Sequence, residues 1–157
     1  MIDVIQTEID DVLADNNISW SELKDSTVLV TGANGLIGSA LVHVLQTANK
    51  RYGLNINIIA HTRQTHGDIR LNINIDFPPD YIFHCAAITK SSEMVNSPVE
   101  VMNVAIDGTR NILNLARTAN SKSVVFLSSM EVYGQAEKRE VCEDDLGYID
   151  LTNPRSS

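Results

Sequence analysis

The chain has 157 residues, of which 43% are hydrophobic, and its 20 acidic against 12 basic residues give a net charge of −8. This length predicts one domain with an ordinary core, and an acidic chain without an extended basic cluster argues against nucleic acid as a partner. No apolar run is long enough to span a membrane and no signal-peptide pattern opens the chain, so we expect a cytoplasmic protein with no membrane partner. The two cysteines, Cys85 and Cys142, do not have the spacing of metal ligands, and the histidines do not either. No metal site is therefore predicted.

The chain opens with an amphipathic pattern that predicts a helix over residues 2–14, followed by a turn around Trp20. We interpret residues 1–24 as a helical appendage that lies on the main domain. The main domain is expected to occupy residues 25–157.

Strands and helices alternate through the main domain. The patterns predict strands at 27–31, 55–60, 69–75 (the weakest), 81–85 and 123–127, with helices at 36–48 and 98–118. This alternation favours an α/β fold, a Rossmann-type parallel sheet with helices on both faces that ends after about its fifth strand. Ligands of such sheets bind beyond the carboxyl ends of the strands, where the strand order switches.

The glycine-rich run that follows the first strand is the most informative segment. Val28–Val30 is apolar and β-favouring and leads into Thr31, glycines follow at 32, 35 and 38, and the pattern then becomes helical. Strand, tight glycine turn and helix N-terminus together are typical of a loop that binds a dinucleotide pyrophosphate. The alternative is that Asn34-Gly35 forms a simple hairpin turn between two strands.

Two further strand ends carry distinctive residues. HCAAITKSS (84–92) follows the fourth predicted strand, and its small alanines leave room for a ligand near the backbone. SSMEVYG (128–134) follows the fifth and combines hydroxyl groups, a carboxylate and a phenol. Alternatively, Ser128 and Ser129 are ordinary turn residues and Glu131 is a solvated charge.

Five ordered motifs extend this pattern: TGANGLIG (31–38), GDIR (67–70), DYIFHCAA (80–87), NVAIDGT (103–109) and SSMEVYG (128–134). With them the chain resembles the extended short-chain dehydrogenases/reductases, specifically the nucleotide-sugar epimerase/dehydratase family. The resemblance implies that Ser129 and Glu131 are catalytic. The resemblance, together with the residues around these motifs, predicts a cofactor site formed by Gly32, Asn34, Gly35, Leu36, Ile37, Gly38, Thr62, Arg63, Asp68, Ile69, Ala86, Ala87 and Lys90. Of these, Lys90 could reach the cofactor phosphates or could simply be solvated.

The resemblance implies a shared step in which a sugar hydroxyl is oxidised by hydride transfer to nicotinamide. Met130 stands where dehydratases of this family carry an acid, which counts against dehydration, while Glu131 favours a decarboxylase-like or epimerase-like reaction. The family's catalytic Tyr-x-x-x-Lys pair is absent from this sequence. We therefore expect the 157-residue chain to be the front part of a longer enzyme and to bind cofactor without turnover. A dinucleotide-binding regulatory module, or an interaction domain with an empty loop, is the alternative.

The cofactor and the oligomeric state are also predicted. No carboxylate follows the second strand and Arg63 lies nearby, a combination that suits NADP, yet relatives with a similar arginine use NAD. We favour NAD, with NADP as the alternative. A nucleotide sugar is the expected substrate of the complete protein, and an exposed sheet edge and the helix at 98–118 favour a homodimer or higher oligomer.

Overall fold

The fold is described from a computed structural model, which describes residues 2–71, 73, 75–135, 140–145, 147–150 and 152. Its helices are α1 (Ile2–Ala14), α2 (Leu36–Tyr52), α3 (Arg63–His66), α4 (Ser91–Asn96) and α5 (Pro98–Ala119). Its strands are β1 (Thr27–Thr31), β2 (Asn57–His61), β3 (Tyr81–His84) and β4 (Ser123–Phe126), and short 3-10 helices form at Trp20–Leu23 and Met130–Tyr133. None of the helices among these residues is both long and apolar enough to cross a membrane.

The four strands form one parallel sheet in the order β2-β1-β3-β4. The predicted fold class, a parallel α/β sheet of the Rossmann type, is therefore confirmed. The chain passes from β1 to β2 on one side of β1 and then returns to β3 on its other side. The strand order therefore switches between β1 and β3. Thr31, the last residue of β1, lies opposite His61 on one side and His84 on the other. The carboxyl ends of three strands therefore meet at one edge, where a parallel sheet places its ligand.

Both faces of the sheet are covered by hydrophobic packing. Val28 and Val30 are fully buried in a cluster with residues of α1 and α2, whereas Leu29 belongs to a second cluster that includes Val104 and Ile112 of α5. Alternate residues of a strand point to opposite faces, so β1 serves both clusters. This explains why its sequence is continuously apolar.

The N-terminal helix packs against the end of α2. Leu13 is buried, its carbonyl oxygen accepts a 2.7 Å hydrogen bond from the Tyr52 hydroxyl, and the Tyr52 ring stacks on Trp20 with centroids 6.2 Å apart. These contacts attach α1 to the sheet layer. The division of the chain at residue 24 stays a prediction.

The predicted strand at 69–75 is wrong for the described residues, because Asp68–Leu71 forms a turn. Leu71 N–H donates to the Asp68 carbonyl at 3.0 Å, and the Asn111 amide of α5 donates to the Ile69 carbonyl at 2.9 Å. These bonds use backbone groups that a strand would need. Asn72 and Asn74 lie outside the described residues.

Other predicted boundaries need smaller corrections. The second strand begins at Asn57 rather than residue 55, because Asn55 has a φ of +55° and the Ile56 N–H donates to the Asn49 side chain. The helix predicted to end at residue 48 continues to Tyr52, where Gly53 caps it in the left-handed conformation. The short helices α3 and α4 were not predicted.

Candidate functional site

The glycine turn after β1 packs so tightly that no side chain fits at Gly32 or Gly38. Gly32 has a φ of +66°, and a Cβ there would lie 2.8 Å from the Cys85 carbonyl oxygen. A Cβ on Gly38 would lie only 2.2 Å from the Gly32 carbonyl oxygen. The turn therefore presses against the end of β3 on one side and against the first turn of α2 on the other. The hairpin alternative for Asn34-Gly35 is wrong, since helix α2 begins directly after Gly35.

The N-terminus of α2 presents backbone donors beside this turn. The Ser39 N–H donates to the Gly35 carbonyl at 2.9 Å, so the N–H groups of Leu36, Ile37 and Gly38 precede the first helical hydrogen bond. The Leu36 residue is 90% exposed and Ile37 50%, so apolar side chains remain uncovered here. Three unpaired donors and the positive end of a 17-residue helix form a site suited to an anion such as a phosphate.

A cleft of about 480 Å³ begins at this helix end and crosses the carboxyl edge of the sheet. Most of the predicted cofactor residues line it together. From the glycine turn these are Gly32, Gly35, Leu36, Ile37 and Gly38. From the other strand ends and loops they are Thr62, Arg63, Ile69, Ala86 and Ala87. Their individual roles in cofactor binding stay predictions.

Three predicted cofactor residues are not part of the cleft lining. Asn34 is exposed and its amide lies 3.4 Å from the Gln64 side chain. The Lys90 side chain is 77% exposed and pairs with Glu93 at 3.3 Å, which agrees with the solvated alternative. Asp68 lies next to the lining residue Ile69 but directs its carboxylate to an arginine.

The Asp68 carboxylate forms a two-pronged ion pair with the Arg70 guanidinium, at 3.0 Å for Nε and 2.7 Å for a terminal nitrogen. Hydrogen bonds from the Arg70 side chain and backbone lower the pKa of Asp68 to about 2. Arg70 also reaches Glu100 of α5 at 2.9 Å. The network ties the loop to α5 and so holds Ile69 as an apolar wall of the cleft.

The predicted catalytic residues lie just beyond the cleft, on the segment after β4. Ser129 caps the 3-10 helix Met130–Tyr133, and its hydroxyl accepts a 3.2 Å hydrogen bond from the Glu131 N–H. The preceding residue, Ser128, lines the cleft, whereas Ser129 and Glu131 do not. The segment is therefore adjacent to the cleft, and the catalytic roles stay predictions.

Several lining residues were not identified from the sequence. His61 ends β2 with 2% exposure, and burial, then the charge of His66, lowers its pKa below the usual value. Val104 reaches the cleft from α5. The strand-end rule could have identified His61, as it did the segment that begins at Ser128, whereas the position of Val104 depends on how α5 packs. Among the described residues, no group of three His, Cys, Asp or Glu side chains could hold a metal ion.

A comparison with protein families decides the relationship. Residues 28–157 match the family described as the NAD dependent epimerase/dehydratase family. The chain belongs to this family. The resemblance seen in the five motifs is thereby confirmed.

Individual relatives share moderate sequence identity with the chain. A UDP-N-acetyl-alpha-D-glucosaminuronate decarboxylase from Bacillus cytotoxicus is 30% identical over 135 residues, which cover 76% of this chain and 41% of the relative. A UDP-glucuronic acid decarboxylase 1 from Danio rerio is 26% identical, with 87% of this chain and 35% of the relative covered. The chain thus spans less than half the length of these curated relatives.

Solved structures agree with the fold. An epimerase from Methanothermobacter thermautotrophicus superposes with a TM-score of 0.63 at 24% identity, covering 87% of this chain and 45% of that one. The similarity supports the Rossmann-like arrangement of sheet and helices. The glycine cradle, the unpaired helix donors and the apolar cleft wall fit the dinucleotide that the family name implies.

Proposed function

We propose that this protein binds a nicotinamide dinucleotide in the cleft as part of an enzyme that modifies a nucleotide sugar. The observation that carries the proposal is the close contact between Gly38 and Gly32, which brings the helix N-terminus against the turn at the start of the 480 Å³ cleft. Leu36, Ile37 and Gly38 would donate backbone N–H groups to that pyrophosphate. Ile69 would lie against the adenine, and Ala86 and Ala87 would border the path toward the nicotinamide.

The proposed cofactor is NAD, with NADP as the alternative. When bound, the nicotinamide supplies a hydride acceptor for a sugar hydroxyl. The family description favours NAD. NADP is favoured by the absence of a carboxylate at the end of β2 and by Arg63, which lines the cleft where a ribose phosphate would be recognised.

The proposed reaction is of the decarboxylase or epimerase type. Ser129 would hydrogen-bond the sugar hydroxyl that is oxidised, and Glu131 would act as a carboxylate beside it. The 82% exposed Met130 between them offers no proton, which counts against loss of a sugar hydroxyl as water. Relatives of both kinds support this choice: two decarboxylases, a 4-epimerase and a 2-epimerase match the chain.

Calorimetric titration with NAD and with NADP tests the cofactor proposal. We expect saturable binding of both dinucleotides with NAD the tighter, and Arg63→Ala should leave the NAD affinity within a factor of about three. If NADP is the cofactor, wild type binds it more tightly and Arg63→Ala weakens that binding by about tenfold or more, the typical loss of a charged hydrogen bond. Arg51→Ala is the matched control, since this exposed arginine lies at the far end of α2. Absence of binding by either dinucleotide would overturn the proposal.

A regulatory dinucleotide-binding module is the second candidate, because no tyrosine of the sequence has a lysine four residues later. The gene sequence directly after codon 157 discriminates between the two. A Tyr-x-x-x-Lys motif there favours the enzyme, and a stop codon favours the module. Ser129→Ala should abolish turnover of activated sugars by the complete gene product while leaving NAD affinity unchanged.

A further inference from the structure

We propose that His84 is a positioning residue that holds the glycine turn against the segment after β3, and that a proton gained by its imidazole loosens this contact and weakens dinucleotide binding. The second half of this proposal rests on the proposed function. The first half concerns the free protein alone.

The contact is a buried hydroxyl shared by three partners. Thr31 is fully buried, and its Oγ1 lies 3.2 Å from the backbone nitrogens of both Cys85 and Ala86. The same oxygen lies 2.8 Å from Nδ1 of His84, whose residue is only 3% exposed. One side chain at the end of β1 thus binds the backbone that follows β3.

The donors around Thr31 fix the protonation state of the histidine ring. The N–H groups of Cys85 and Ala86 can only donate, so they occupy the two lone pairs of the Thr31 hydroxyl. The hydroxyl proton must then be donated to Nδ1 of His84, which therefore carries no proton. In the neutral ring Nε2 bears the proton, and it lies 3.3 Å from the Thr109 hydroxyl of α5. The relay accordingly spans β1, β3 and α5.

The relay positions the part of the cleft that a dinucleotide would contact. Thr31 directly precedes Gly32, and Ala86 directly precedes Ala87. Gly32 lies so near this segment that a Cβ on it would be 2.9 Å from the Ala86 Cα. If Nδ1 gained a proton, it and the Thr31 hydroxyl would both be donors. The hydroxyl would have to rotate and give up one amide partner. One of the two hydrogen bonds from the N–H groups of Cys85 and Ala86 to the Thr31 hydroxyl would then be lost.

The surroundings of His84 keep the ring neutral near pH 7. Burial, and secondarily the charge of His61 on β2, lower the pKa of His84 below its ordinary value of 6.5. Its aromatic neighbour from β4 is Phe126, with centroids 5.7 Å apart. Directly after β3, the Cys85 thiol has its own pKa raised by burial, so it is neutral as well. On α5 the charged residues flanking Thr109 are Asp107 and Arg110, which pair with each other on the exposed surface.

The test combines nuclear magnetic resonance of the free protein with titrations of NAD affinity. In ¹⁵N-labelled wild type, we expect an unprotonated Nδ1 and a protonated Nε2 on His84 at pH 7.5. As the pH falls through the lowered pKa of His84, the amide signals of Gly32 and Ala86 should move together with its ring. A proton on Nδ1 at pH 7.5, or amide signals that ignore the titration, would overturn the positioning role even if NAD binds.

Variants carry the second half of the test. The affinity of wild type for NAD should fall by about tenfold on protonation of His84, in line with the loss of a buried hydrogen bond. His84→Asn retains an oxygen that can accept from Thr31 but cannot titrate, so its affinity should match wild type at pH 7.5 and fall less with acid. His84→Leu should bind NAD weakly both at pH 7.5 and at a pH below the pKa of His84. His43→Asn, on the exposed side of α2, is the control and should follow wild type.

The pH profiles also separate the two proposals. His61 remains in His84→Asn, so the difference between the two profiles isolates His84. If His84→Asn and wild type have the same profile, the proposed proton dependence is wrong. If wild type binds no dinucleotide at any pH while the Gly32 and Ala86 amides still follow His84, the proposed function fails and the positioning role stands.

Discussion

Replacement of Gly38 by alanine is the sharpest perturbation of the candidate site. A Cβ there would lie 2.2 Å from the Gly32 carbonyl oxygen, whereas ordinary contact begins at 3.4 Å, so the helix end and the turn must separate by about 1.2 Å (3.4 − 2.2). The obstructing atom belongs to the backbone and cannot rotate away. Overpacking of this kind costs about 1–3 kcal/mol. In a chain of this size that corresponds to a fall of about 2–12 °C in Tm.

The same displacement moves the N–H groups of residues 36–38 relative to the turn, so NAD affinity should fall by at least about tenfold. Thermal unfolding and calorimetry measure the two effects. Ser39→Ala is the matched comparison in the same helical turn, since it adds no atom and removes only the 3.1 Å bond from the Ser39 hydroxyl to the Leu36 carbonyl. It should stay within about 1 kcal/mol of wild type because alanine also favours the helix. A Gly38→Ala protein with wild-type Tm and wild-type NAD affinity would refute the reasoning.

Three further predictions concern the frame of the site. Because the ion pair with Arg70 lowers the pKa of Asp68 from 3.8 to about 2, this carboxylate adds stability above pH 3.8 that is lost as the pH falls toward 2. Acid unfolding of Asp68→Asn should therefore be less steep in that range than that of wild type, and equal slopes would contradict the pairing. Thr62 caps α3 by accepting from the Thr65 N–H at 3.1 Å, so Thr62→Val should cost about 1 kcal/mol in urea unfolding, and a neutral effect would argue against the cap. Tyr52→Phe removes the bond to the Leu13 carbonyl and should cost about 1 kcal/mol, with faster hydrogen exchange in α1; unchanged exchange would show that α1 does not depend on it.

The central strands and the glycine turn could be predicted because their signals are local. The bounds of β1 match the prediction, since the apolar run ends sharply at Gly32, and Pro98 marks the first residue of α5. The strand predicted at 69–75 was wrong. Its residues alternate between apolar and polar as a strand would, but the Asp68 turn and the hydrogen bonds from Asn111 use the same backbone groups. Helices α3 and α4 have only 4 and 6 residues, too few to produce a helical period in the sequence.

The candidate site divides in the same way. The residues from Gly32 to Gly38 form a contiguous motif whose chemistry depends on neighbouring backbone groups. Val104 lines the cleft only because of how α5 packs, which no short window of sequence contains. The tautomer of His84 depends on donors from β1 and from the segment after β3, so it could be inferred only from the three-dimensional arrangement.

The most direct test of the central claim is an amide titration of the ¹⁵N-labelled protein with NAD. If the N-terminus of α2 binds the pyrophosphate, the largest and saturable shifts should occur at the N–H signals of Leu36, Ile37 and Gly38. AMP, which lacks the pyrophosphate, should move them less. Saturation by NAD that leaves these three signals in place would contradict the account.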